Sequence, residues 1–155
     1  MTSQQKIVFK NTLKRACQTI IEQRIEAIKL AIDNAQQAAN QEEKSSAGDK
    51  YETSRAMNHL EREMYTRQLA ENMKELATLH SIDTNTIYEN GKAGAFLQCS
   101  EISFFIAAGL GKQTVESKTI FFLSPNAPLA RSLQNKKAGD SFLFNTTPLT
   151  IVDVY

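Results

Sequence analysis

The sequence predicts an α+β protein built in two parts: an N-terminal antiparallel helical hairpin of coiled-coil type over residues 1–80 and a small antiparallel β domain with one short helix over residues 81–155. Three observations predict it. No proline or glycine interrupts the chain between Ser3 and Glu43, where good helix formers dominate. Apolar residues in that stretch return at heptad spacing. Past Ile82, Gly91, Gly94, Gly109, Gly111 and Gly139 punctuate short β-branched and aromatic runs, and seven of the eight phenylalanines lie there, so the aromatic core belongs to the second part.

The first helix is expected from Ser3 to about Glu43. Ile21, Ile28 and Ala35 recur every seven residues, with Ile25, Ile32 and Ala39 one turn on, so the inward stripe narrows to alanine towards the end. Ser45-Ser46-Ala47-Gly48 is a reversal of small residues. A second helix then runs to about Leu79, with Met57, Leu60, Met64, Leu69, Met73 and Leu76 as its apolar stripe. So short a connection forces antiparallel neighbours, and at 1.5 Å per residue the shorter arm reaches about 40 Å. A stripe one or two residues wide buries little, and the charged flanks Glu22, Glu26, Arg62, Glu63, Glu71 and Lys74 are solvated, so the hairpin reads as a projection.

Strands are predicted at Ala95–Cys99, Phe104–Ala107, Ile120–Leu123, Phe142–Phe144 and Ile151–Val154. Pro128 opens the short helix through Leu133, since its missing N–H is harmless in a first turn. Gly109-Leu110-Gly111-Lys112 lacks the spacing of a phosphate loop and reads as a turn between strands.

A formal net charge of +1 on 155 residues argues against binding nucleic acid or membranes by bulk charge. The first thirty residues mix lysine and arginine among apolar positions, which excludes a signal peptide or a membrane span there and leads to the expectation of a cytoplasmic protein with no membrane partner. Cys17 and Cys99 have no ligand-spaced neighbour and read as reduced, buried thiols. His59 and His80 also lack a partner at metal-ligand spacing.

The chemistry-bearing candidate is Gly48-Asp49-Lys50-Tyr51-Glu52 at the hairpin bend, within a tip near residues 45–53. Asp49 and Glu52, three apart on a helix, lie on one side and project from its end. The same pattern is a helix start, in which Asp49 caps and Glu52 reaches back to a free backbone N–H. The two readings are compatible.

The hairpin, the β domain and the Asp-x-x-Glu bend together resemble the Gre transcript-cleavage factors of bacterial RNA polymerase, over almost the whole chain. Gly48-Asp49 with Glu52 is similar to that family's tip motif, and Met73-Lys74-Glu75-Leu76 through Ser81-Ile82-Asp83 resembles its passage from second helix to first strand. Ala127-Pro128-Leu129-Ala130-Arg131-Ser132-Leu133 followed by Lys136-Lys137-Ala138-Gly139-Asp140 is similar to its C-terminal signature.

The resemblance implies that the hairpin enters the polymerase secondary channel. There Asp49 and Glu52 hold a magnesium ion shared with the polymerase, or orient its water, for cleavage of the backtracked RNA 3′ end. The chain then has no cofactor of its own and is no enzyme; it stimulates the polymerase's intrinsic cleavage and acts as a monomer. The C-terminal domain is implied to be FKBP-like, similar to the FK-binding-type prolyl isomerases, and to dock at the channel rim, with Pro128, Leu129 and Arg131 as docking residues. Arg55 and Arg62 are the candidate RNA contacts, although residues with such mixed-sign neighbours are more often a solvated face, and Lys136 and Lys137 likewise read as keeping the turn at Gly139 soluble.

Where the family carries small or apolar residues between its acids, this chain has Lys50 and Tyr51. Lys50 partly neutralises the acids and Tyr51 adds bulk. That departure supports the alternative of a non-cleaving Gre-like regulator that binds polymerase and occludes or modulates the secondary channel. A prolyl isomerase rests on fold likeness alone.

Overall fold

The computed structural model describes residues 1–45 and 48–155, and of 42–45 and 49–51 the helical backbone only. Helix α1 spans Ser3–Ser45 and helix α2 spans Asp49–Ser81. They pack against each other as an antiparallel pair: Arg62 of α2 donates to Gln36 of α1 at 2.7 Å, while Glu75 faces Cys17. Among the described residues no helix is long and apolar enough to cross a membrane.

By packing, the chain divides into one unit of Met1–Thr19 with Glu75–Tyr155 and another of Ile20–Lys74. In the second unit the α1 stripe is as predicted, with Ile21, Ile25 and Ala35 buried and Ile28, Ile32 and Ala39 half-buried. The α2 stripe is not. Met57, Leu60 and Met64 are 65%, 63% and 44% exposed, and Met73 is exposed too. The inner face carries Ser54, Asn58, Tyr65, Leu69 and Asn72 instead. The reason is phase: Leu79, Leu76 and Leu69 set which side of α2 faces inward, and heptad steps back from Leu79 land on Asn72, Tyr65 and Asn58. Met57, Leu60 and Met64 then lie about 120° round the helix.

In the first unit a five-stranded sheet has the order β3-β4-β2-β1-β7, and β5 and β6 form a separate two-stranded ribbon. The strands are β1 Phe96–Gln98, β2 Ser103–Ile106, β3 Gly111–Val115, β4 Lys118–Leu123, β5 Ser141–Phe144, β6 Thr147–Thr150 and β7 Asp153–Val154. Helix α3 is Pro128–Leu133, with Pro128 in its first turn as expected. The sheet is mixed, not antiparallel throughout: β2 and β4 run parallel, Phe104 beside Phe121 and Phe105 beside Phe122. The crossover that a parallel pair requires is β3 itself, which runs along the outer edge and returns β4 beside β2. Both β3–β4 and β5–β6 close through two residues at positive φ, Glu116-Ser117 and Asn145-Thr146. These are mirror-image turns of the kind that suits the twist of a hairpin.

β2 is buried on both faces, and after Ser103 it reads as an unbroken apolar run. Phe104 meets Phe142 and Phe144 edge-on at 5.4 and 5.2 Å, in a core completed by Leu97, Leu123, Ala130, Leu133 and Ile151. On the other face Phe105 stacks edge-on with Phe122 at 6.0 Å, and Phe96 lies between Phe9 of α1 at 5.3 Å and Tyr155 at 5.1 Å. The start of α1 is also tied down by three lysines at one-turn intervals. Lys6 pairs with Asp153 at 3.0 Å, Lys10 donates to the Thr86 carbonyl at 2.8 Å, and Lys14 donates to the Ile82 carbonyl at 2.7 Å.

Candidate functional site

The site predicted from sequence lies at the start of α2. Gly48 has φ +73°, a left-handed conformation that favours glycine, and open space surrounds it. The Glu52 N–H donates to the Gly48 carbonyl at 3.2 Å. Helix α2 begins at Asp49. The capping alternative turns on the Asp49 side chain, which lies outside the described residues. Both acids are in the first helical turn, where the free N–H groups and the helix dipole favour negative charge.

The side chain of Asp49 lies outside the described residues, as do those of Lys50 and Tyr51. Glu52 is exposed, and with Thr53, Ala56, Met57 and Leu60 it lines one shallow surface. Sequence reasoning missed this apolar company, having assigned Met57 and Leu60 to the interior. The signal was present in the heptad Asn58-Tyr65-Asn72-Leu79, which keeps phase with Leu69 and Leu76.

The candidate RNA contacts separate in character. Arg55 is exposed, whereas the Arg62 guanidinium is engaged with Gln36 across the helix pair. His59 sits 3.3 Å from Glu63 one turn on. The candidate docking residues all lie in α3: Pro128 and Arg131 are exposed, and Leu129 is half-buried against the sheet core. Lys137 is exposed, and its backbone N–H is held by Asp140 at 2.9 Å in the turn before Gly139.

Carboxylate oxygens are the donor type that magnesium takes, usually one or two per protein, with water and phosphate oxygens completing the shell. An exposed Glu52 three residues from Asp49 fits that pattern as a partial ligand set. Among the described residues no three acids, histidines or cysteines gather closely enough to hold a metal alone. Cys17 and Cys99 are both free and buried, and burial raises both thiols, Cys17 to about 12 with help from Glu75. At neutral pH they are protonated and inert.

No protein-family model matches this chain, and no curated protein is significantly similar to it.

Proposed function

We propose that this protein is a Gre-like accessory factor of bacterial RNA polymerase, which presents the bend of its helical hairpin to the secondary channel and promotes cleavage of backtracked RNA. One observation carries the reading: the exposed Glu52 in the first turn of α2, three residues after Asp49 and directly after the glycine bend. The sequence likeness of the tip and of the Ala127–Asp140 stretch supports it, as does a helix pair followed by a sheet with one short helix. The FKBP-like identity of that second part and a rim-docking role for Pro128, Leu129 and Arg131 belong to the same proposal.

On this reading Asp49 and Glu52 would hold a magnesium ion jointly with the polymerase. When bound, such an ion activates water and steadies charge on phosphorus. The chain's own contribution is positional. A continuous helix carries both acids in its first turn, directly after the bend, where the helix dipole favours negative charge. Arg55, exposed one turn on, lies where an RNA phosphate could be met.

The test uses stalled, backtracked elongation complexes with magnesium. Added protein is expected to shorten the RNA from its 3′ end, and the Asp49→Ala/Glu52→Ala double variant is expected to bind polymerase but leave the RNA intact. Equal shortening by the double variant overturns the assignment of the acids.

A second reading, a non-cleaving regulator that fills the channel, is favoured by the exposed Met57 and Leu60 beside Glu52, which suit contact with a wall more than with water. It is the correct one if polymerase binds the native protein and elongation responds while the RNA stays whole.

A further inference from the structure

Far along the chain from the hairpin bend, the first unit contains a cleft of about 300 Å³ between the 92–93 turn and α3. That volume is at the lower end of small-ligand sites. Its floor is Ile106 at the end of β2 and Ala130 of α3, both buried. Lys92, Asn126, Arg131 and Gln134 also line it, and none of its lining residues is acidic. Among the described residues neither cation forms an ion pair.

The walls are built rather than incidental. The strap carrying Lys92 is fastened at both ends: Gly91 N–H donates to the Lys136 carbonyl at 2.8 Å, Asn135 N–H donates to the Gly91 carbonyl at 2.9 Å, and Gly94 N–H donates to the Ile106 carbonyl at 2.7 Å. The approach is close enough to demand glycine. A Cβ on Gly91 would come within 2.0 Å of the Leu133 carbonyl oxygen, and one on Gly94 within 2.5 Å of that of Asp83. The Lys92 ammonium lies 4.8 Å from the centre of the Tyr88 ring, close beside the cleft. Two cationic residues and no carboxylate among the lining residues, around an apolar floor, leave a local positive potential that an anion neutralises.

We propose that this cleft binds a small organic anion, its phosphate or carboxylate met by Arg131 and Lys92 and its compact apolar body resting on Ile106 and Ala130. The site is independent of the hairpin acids. It needs neither metal nor polymerase.

The experiment is an NMR titration of the full chain with phenyl phosphate, with benzoate, inorganic phosphate and benzyl alcohol as parallel probes. Saturable millimolar binding of phenyl phosphate or benzoate is expected, with shifts confined to residues 91–94, 126 and 130–134. Inorganic phosphate, which lacks the body, and benzyl alcohol, which lacks the charge, are each expected to bind about tenfold more weakly or worse. Whichever of the two anions is the tighter identifies the headgroup. Arg131→Gln removes one charge and Ala93→Phe blocks the mouth without touching charge; each is expected to weaken binding about tenfold while the remaining spectrum is unchanged. Unsaturable shifts spread over the surface lysines, or affinity unaffected by both variants, overturn the site.

Discussion

Lys10 is the least expected residue in the molecule, a lysine in an amphipathic helix that is fully buried. Its ammonium donates to the Thr86 carbonyl and lies 4.7 Å from the Tyr88 ring centre. Burial lowers its pKa to about 8, against a smaller opposing pull from Asp83. The sign of the consequence follows from proton counting. Between pH 8 and the ordinary lysine value of 10.5 the unfolded chain holds a proton that the folded chain has released, so stability rises with pH in that window. Cys17 acts oppositely above its ordinary value of 9, because its folded pKa is about 12. Urea titrations at pH 8 and 9 are therefore expected to show a gain below about 1.4 kcal/mol in the native protein, and none in Lys10→Met. A gain of equal size in the variant would remove Lys10 as its source.

Among the elements, α2 separates hydrophobic composition from hydrophobic position. Leu60 is 63% exposed and Leu79 is fully buried. Leu60→Ala is expected to change stability by less than about 0.5 kcal/mol, and Leu79→Ala to lower it by about 3 kcal/mol, measured by chemical denaturation. Both helices, α3 and the strands around Phe96, Phe104 and Phe122 were legible from the sequence, because long glycine-free periods and dense aromatic runs have few competing explanations. The inner face of α2 was not, since its asparagines and tyrosine are inward only through helix phase set elsewhere. β3 was missed because Lys112, Gln113 and Thr114 give an edge strand no apolar alternation, and β6 because it contains Pro148. Neither hairpin turn has a glycine to announce it. Of the candidate site, the sequence placed both acids in a helix's opening turn but read the adjoining methionine and leucine as interior. The cleft beside α3 left no trace, because Lys92, Asn126 and Arg131 come together only through tertiary packing.

On the scale of the whole molecule, the sheet's second face depends on residues from the far end of the chain. Phe9 and Lys6 of α1 meet Phe96 and Asp153, and Tyr155 is buried beside them. A fragment of residues 81–155 would leave Phe96 without Phe9 and Asp153 without Lys6. It is expected to unfold non-cooperatively or to aggregate, whereas the full chain gives a cooperative transition by circular dichroism. A sharp melt from the fragment would show that the β part stands alone. Glu52→Ala is expected to keep the full chain's melting curve, since Glu52 is exposed.

Pro148, placed opposite Leu143 in the β5–β6 ribbon, has no backbone N–H to offer a newcomer. β7 at one border of the main sheet is only two residues long, and β3 at the other carries Lys112. Three borders, those at β6, β7 and β3, are thus blunted in different ways, by imino ring, by brevity and by charge. A chain with phenylalanines this dense would otherwise be prone to fibril growth by edge-on stacking of identical copies, and these three devices deny that growth a template.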